Sequence, residues 1–191
     1  MTGKSVVTPN RVLAYHKIDT KKEVGITVVH PEKFTNQVKY LVRKGYQFVT
    51  LSELFFNDKK NKIALTFDDA YQNVYDNAFP VLKELNIPAT IFVICSAIGK
   101  YNLWEANLLG IKYKHMNEDE IKQLLDNGWE IGSHGISHHS LENAGSRILD
   151  DEMGRSKEIL TEKFQRKINF FSAPFGRIND VVLQKCRQFG Y

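Results

Sequence analysis

Short runs rich in β-branched and aromatic residues alternate along this chain with stretches whose apolar residues recur at helical spacing. RVLAY (11–15), YQFVT (46–50), KIALTF (62–67), ATIFVI (89–94), WEIGS (129–133) and INFFSA (168–173) read as strands. Between the first two, Phe34, Val38, Leu41 and Val42 fall on one helical face, with Pro31 placed to open the helix. Thr50 with Glu53, and Asn117 with Glu120, have the spacing of capping boxes, and Gly128 is placed to end the second helix. Val74, Ala78, Leu82 and Leu85 predict a helix that Pro80 should kink or delay. Leu149, Met153, Leu160 and Phe164 mark a longer helix, and Val181, Val182 and Phe189 mark a last one.

The series is βαβα, which argues for an α/β fold with a parallel sheet and helices outside it. The strands are apolar nearly throughout, as expected where both faces are covered. An open doubly wound sheet and a closed or partly closed barrel both fit. No GxGxxG or GxxxxGK[ST] follows a strand, so the usual nucleotide cradles are missing. At 191 residues, without repeats or a low-complexity linker, the chain reads as a single domain over 1–191. It stops at Gly190-Tyr191, directly after a helix, where such a series would supply another strand. The expectation is a barrel lacking its last strands, or a truncated chain.

Composition narrows the function classes. Hydrophobic residues make up 42% and charged residues 25%, in the ordinary globular range. The net charge of +4 is modest and its residues are scattered; the densest run, Lys59-Lys60-Asn61-Lys62, reads as a solvated loop. Nucleic acid is not an expected partner, for lack of a basic stripe with interleaved aromatics. Cys95 and Cys186 form no CxxC pattern and are expected as buried free thiols. No apolar stretch approaches membrane-spanning length. As written the chain carries no export signal and reads as cytoplasmic; a removed leader would place it outside the cell or in the envelope.

Chemistry gathers at strand ends, where parallel α/β folds build their sites. KIALTF ends in Asp68-Asp69, WEIGS in His134-Gly-Ile-Ser-His138-His139, INFFSA in Pro174-Phe175-Gly176, and RVLAY in His16. Adjacent carboxylates repel, and a cation would relieve them. Asp69, His134 and His138 supply one carboxylate and two imidazoles, a common set for a catalytic Zn²⁺ that keeps a position open for water. Asp68 is then free to act as a base. Each cluster alone has a plainer reading: a turn, a solvated loop, a core histidine. Their coincidence at the strand ends of one series favours the site.

These motifs resemble the polysaccharide deacetylases, family 4 of the carbohydrate esterases, with the NodB-like domain. The family's TFDD stands as Thr66-Phe67-Asp68-Asp69. Its His-Ser/Thr-x-x-His run stands as GSHGISHHSL, with Gly135 in the Ser/Thr place. Its Arg-Pro-Pro-Tyr/Phe-Gly stands as Ser172-Ala173-Pro174-Phe175-Gly176, and FPVLKELNIPATIFV (79–93) resembles the text after the first motif. The layout is most similar to the biofilm poly-N-acetylglucosamine deacetylases, which lack the third motif's Arg and carry a Tyr-His near the N-terminus, here in LAYHKI.

The resemblance implies a distorted (β/α) barrel with fewer than eight full strands. It implies Asp68 as catalytic base, and Asp69, His134 and His138 as ligands of a divalent metal: Zn²⁺ first, with Co, Ni, Mn or Fe as substitutes. His139 could replace His138 in another loop register. His16 becomes the candidate acid, the Phe175 amide an oxyanion donor, and Tyr71, Trp104 and Phe175 candidates for stacking on sugar rings. The implied reaction removes N-acetyl groups from an N-acetylglucosamine polysaccharide or oligosaccharide. An O-acetyl xylan esterase or small-amide amidase on the same site, or an impaired sugar-binding fragment, are the alternatives.

Overall fold

Strand β5 (Lys62–Phe67) is buried at every position, so both of its faces must meet packed neighbours. The computed structural model describes residues 11–21, 27–55, 61–102 and 112–191. Within it, β5 runs parallel to three strands. Strand β1 (Arg11–Tyr15) lies beside Ile63–Phe67, β4 (Gln47–Val49) beside Lys62–Ala64, and β6 (Thr90–Val93) joins at Thr66 and Phe67. Strand β7 (Glu130–Ser133) continues beyond β6, again parallel. A separate two-residue pair, β2 (Lys17–Ile18) with β3 (Val28–Val29), follows β1.

The side chains of the sheet divide by alternation. Ile63, Leu65 and Phe67 face the helices together with Ile91, Val93 and Ile131. Ala64 and Phe92 face the other way, against Val49, Leu51, Leu54 and Phe170. A large outer cluster and a small inner one are what a barrel wall produces. Among the described residues no strand pairs β7 with β1, so the wall is open there.

The helices form where the pattern places them. Helix α1 (Pro31–Arg43) opens with Pro31 at its first position, and the His30 ring accepts the Glu32 amide. It buries Phe34 and Val38 and leaves Val42 exposed. Helix α2 (Leu51–Phe55) has its capping box, with Glu53 Oε2 accepting the Thr50 amide and Thr50 Oγ1 accepting that of Glu53. The Pro80 segment splits at Ala78 into α3 (Gln72–Asn77) and α4 (Phe79–Glu84). Helix α5 (Glu118–Asp126) carries both bonds of the Asn117–Glu120 box. The expected long helix is α6 (Ser146–Leu149) and α7 (Ser156–Phe164), joined by a wide π-helical turn over Asp150–Arg155. Helix α8 (Asp180–Gln188) follows.

Two expectations need correction. INFFSA is not a strand: only one parallel bridge, Ser133 to Phe171, joins it to β7. Pairing stops there because the Ser172 carbonyl turns to the His134 ring, at 2.7 Å, instead of to a neighbouring amide. Lys62 is not in a solvated loop but buried on β5, its ammonium donating to the Glu53 carbonyl at 2.9 Å. Among the described residues no helix is long and apolar enough to cross a membrane. Cys95 and Cys186 are free thiols, each half-buried rather than fully so.

Candidate metal and hydrolase site

After Phe67 the backbone turns through two left-handed residues, Asp69 (φ 69°) and Ala70 (φ 52°). Such φ values are uncommon for side-chain-bearing residues and cost about 1–3 kcal/mol each. The surroundings hold them. Phe67 stacks between Tyr15 (5.6 Å) and Trp129 (5.3 Å). The Asp68 amide donates to the Tyr15 carbonyl at 2.9 Å, and the Met116 amide donates to the Ala70 carbonyl at 2.8 Å. His115 Nδ1 lies 2.6 Å from the Asp69 carbonyl. A carbonyl only accepts, so Nδ1 carries the proton.

His134 leaves the end of β7 with its amide bound to the Val93 carbonyl at 2.9 Å. Its Nδ1–H donates to the Ser172 carbonyl, which leaves the Nε2 lone pair to face Asp69. His138, in a left-handed conformation (φ 59°), completes the group. Its Nε2 and that of His134 lie 3.4 and 3.3 Å from the same Asp69 Oδ1. One donor atom from each of the three residues falls within 4.8 Å of the others.

That Asp69 oxygen is buried and makes no hydrogen bond. A buried acceptor left in this state is costly, more so when it is anionic. A divalent cation among the three atoms would satisfy it, and a carboxylate with two imidazoles suits Zn²⁺ with a coordination position left over. The residues present therefore fit a metal.

The proton affinities follow from burial and from the neighbouring charges. Burial pushes His138 down to about 4, so its ring is neutral near pH 7, the form in which an imidazole ligates. Burial would raise Asp69, but the two imidazoles outweigh it and hold the carboxyl below its usual range. Burial also opposes a charge on His134, yet Asp69 and Asp68 outweigh it and raise that ring. Burial raises Asp68, against the opposing pull of His134 and His16.

Asp68 lies beside this group. Its Oδ2 accepts the Ser172 hydroxyl at 3.2 Å and stands 4.0 Å from His16 Nε2. The Asp68 side chain is 15% exposed and that of His16 is 36% exposed, so the carboxylate is sheltered and the imidazole stands at the rim. Phe175 is 61% exposed, left-handed (φ 61°), and its ring packs edge-on 4.6 Å from that of His138.

The other expected residues fall elsewhere. Tyr71 is fully buried, stacked on His115 at 4.6 Å with Tyr113 and the Lys17 ammonium against its ring, so no face is open to a sugar. His139 is exposed and is not in the three-residue group. Trp104 lies outside the described residues. Sequence reading missed His115, in a loop with no pattern to mark it. It also missed Glu152, which is 5% exposed. A signal for that residue existed: a carboxylate three positions after Leu149, on the stripe that Met153 and Leu160 bury.

Comparison with known proteins points the same way. The sequence model of the polysaccharide deacetylase family matches residues 56–191. The chain is 31% identical to YxkH of Bacillus subtilis (strain 168), over 94% of this chain and 61% of that one. It is 28% identical to the poly-beta-1,6-N-acetyl-D-glucosamine N-deacetylase of Staphylococcus aureus (strain MRSA252), over 90% and 61%. It thus spans about three-fifths of the length of these curated relatives. Among solved structures, the Streptococcus pyogenes deacetylase PplD in complex with acetate superposes with a TM-score of 0.83 at 25% identity, covering 97% of this chain and 82% of that one. IcaB from Ammonifex degensii gives 0.80 at 25% identity, covering 96% and 81%. The pattern of strand-end residues and the match over most of the chain have one source: this chain belongs to the polysaccharide deacetylase family.

Proposed function

We propose that this chain is a metal-dependent hydrolase that removes N-acetyl groups from an N-acetylglucosamine polymer, with Zn²⁺ held by Asp69, His134 and His138. The observation that carries the reading is the Asp69 oxygen, buried without a hydrogen bond and within 3.4 Å of both imidazoles. The Staphylococcus aureus relative named for poly-β-1,6-N-acetylglucosamine deacetylation, and the streptococcal deacetylase in complex with acetate, support this reading of the substrate class.

When bound, the cation supplies Lewis acidity, polarising a carbonyl and bringing the pKa of a water ligand to about 7. The remaining steps belong to the chain. Asp68, held by the Ser172 hydroxyl, takes a proton from the attacking water as its oxygen bonds to the acetamide carbon. The Phe175 main-chain amide serves as an oxyanion donor, a contribution of about 3 kcal/mol where such donors have been removed. The carbon–nitrogen bond then breaks, His16 gives a proton to the departing amine, and acetate leaves. The exposed Phe175 ring offers a stacking face to the sugar.

The test is acetate release from N-acetylglucosamine oligomers by purified protein with Zn²⁺, beside acetylated xylan as a comparison. Asp68→Asn and a chelator should each abolish release. Release that survives either treatment would rule the mechanism out, and release from xylan alone would move the activity to an esterase.

A further inference from the structure

We propose that Glu152 is the positioning residue for the second imidazole, its carboxylate fixing the backbone between His134 and His138. The inference rests on the hydrolase reading above, and concerns how this chain presents His138.

A carboxylate is seldom buried without partners, and those of Glu152 all come from one short stretch. Its Oε2 accepts the Ile136 amide at 2.8 Å and the Ser137 amide at 3.1 Å. Its Oε1 accepts the Ser137 hydroxyl and lies 3.2 Å from the same Ser137 amide. Both amides belong to residues between the two histidines, and Ser137 directly precedes His138. Charge-assisted hydrogen bonds of this kind are roughly twice as strong as neutral ones.

The loop is made to admit this carboxylate. Gly135 has φ +86°, and a Cβ there would meet Glu152 Oε2 at 2.5 Å. This is the position where the family motif carries Ser or Thr, so the polar group here arrives from across the chain instead. The opposite edge of the loop is held separately, by the Cys95 amide on the Gly135 carbonyl (3.0 Å) and the Ser96 amide on that of Ile136 (2.9 Å). Those bonds stop at Ile136. Ser137, and through it the left-handed backbone of His138, depends on Glu152.

Glu152 itself stands on a braced element. It lies within the wide turn Asp150–Arg155, a feature found often beside functional sites. Gly154 admits the ring of Phe189, the residue that caps α8, which a Cβ there would meet at 2.7 Å. The Met153 carbonyl accepts both the Ser156 hydroxyl (3.0 Å) and the Tyr191 hydroxyl (2.8 Å). The carboxylate is therefore presented by a turn fixed from two other elements.

The experiment compares Glu152→Gln with the parent protein by residue-resolved amide exchange and by zinc titration against a competing chelator. Glu152→Gln keeps the volume but removes the charge, and its NH2 group displaces an oxygen that accepts from Ser137. Exchange at Ile136 and Ser137 should accelerate by about tenfold, and zinc affinity should fall by about ten- to a hundredfold, as for other outer partners of metal ligands. Should Glu152→Gln fail to fold, Ser137→Ala, which removes only the hydroxyl's bond to Glu152, should weaken zinc by about fivefold with faster exchange at position 137. Unchanged amide exchange overturns the anchor, and faster exchange with unchanged zinc affinity overturns its part in placing His138. Parent protein that binds no zinc would bring down the hydrolase reading instead, while amide exchange would still report on the anchor.

Discussion

The Ser172 hydroxyl donates to Oδ2 of Asp68 at 3.2 Å, and the carbonyl of the same residue accepts Nδ1–H of His134 at 2.7 Å. One residue thus touches the proposed base through its side chain and a proposed ligand through its backbone. It stands in the first place of the third motif, where the family pattern has Arg, and its hydroxyl offers one uncharged donor there. Ser172→Ala removes that bond and leaves the carbonyl. We expect kcat to fall roughly fivefold, the equivalent of about 1 kcal/mol for one such bond, with zinc affinity unchanged. A parallel loss of zinc would mean that the substitution moved the backbone, and an unchanged kcat would mean that the hydroxyl does not hold the base.

Removing a ligand should act on the metal directly. Asp69→Ala and His134→Ala are each expected to lose stoichiometric zinc, read by elemental analysis after gel filtration. The parent's affinity should also depend on pH. The carboxylates raise His134 above the ordinary histidine value, so its proton competes with the cation at low pH. Affinity then rises as pH climbs through that range, and zinc binding releases protons that a weakly buffered titration can count. A pH-independent affinity would count against His134 as a ligand.

Much of this was legible in the sequence, for identifiable reasons. The strands β1 and β5 match their apolar runs to the residue, and both capping boxes formed, because those signals are local. The convergence of Asp69, His134 and His138 was legible because motif spacing at strand ends survives any detail of packing. What was not legible depends on contacts distant in sequence. INFFSA has the composition of a strand, yet its geometry is decided by a carbonyl that serves His134. Tyr71 follows the carboxylates closely enough to suggest a sugar platform, but His115, remote in sequence, covers its face. The wide turn at Asp150–Arg155 leaves no mark in apolar spacing beyond the carboxylate that sits on the buried stripe.

Gly132 offers a stability test close to the site but outside its chemistry. It lies on β7 two residues before His134, and a Cβ there would come within 2.5 Å of the Phe92 ring and 3.0 Å of the Phe170 carbonyl. The ring could shift a little; the backbone oxygen is less free. Gly132→Ala should destabilise the protein by about 1–3 kcal/mol, the usual range for overpacking, measured as a lower urea midpoint. A midpoint equal to the parent's would show that Phe92 has room to move within the inner cluster.

High pH tests the outer side of the sheet. Burial pushes the Cys95 thiol from 9.0 up to about 12, with the Glu152 charge adding to the effect, and burial pushes the Tyr191 hydroxyl from 10.0 up to about 12. Both groups are neutral when protonated, and the fold favours that form. Below pH 9 both are protonated in folded and unfolded chains alike, so their full contribution is present. Between 9 and about 12 the unfolded chain releases protons that the folded one keeps, and stability falls as pH rises. The slope should approach about 1.4 kcal/mol per pH unit from Cys95, with a similar increment from Tyr191 above 10. Urea melts at several pH values from 8 to 11, on the parent and on Cys95→Ala, separate the two. Cys95→Ala should lose the decline that begins near 9 and keep the one that begins near 10. Parallel curves for the two proteins would show that the thiol ionises as readily folded as unfolded, and that its place against the Ser156 carbonyl is open to water.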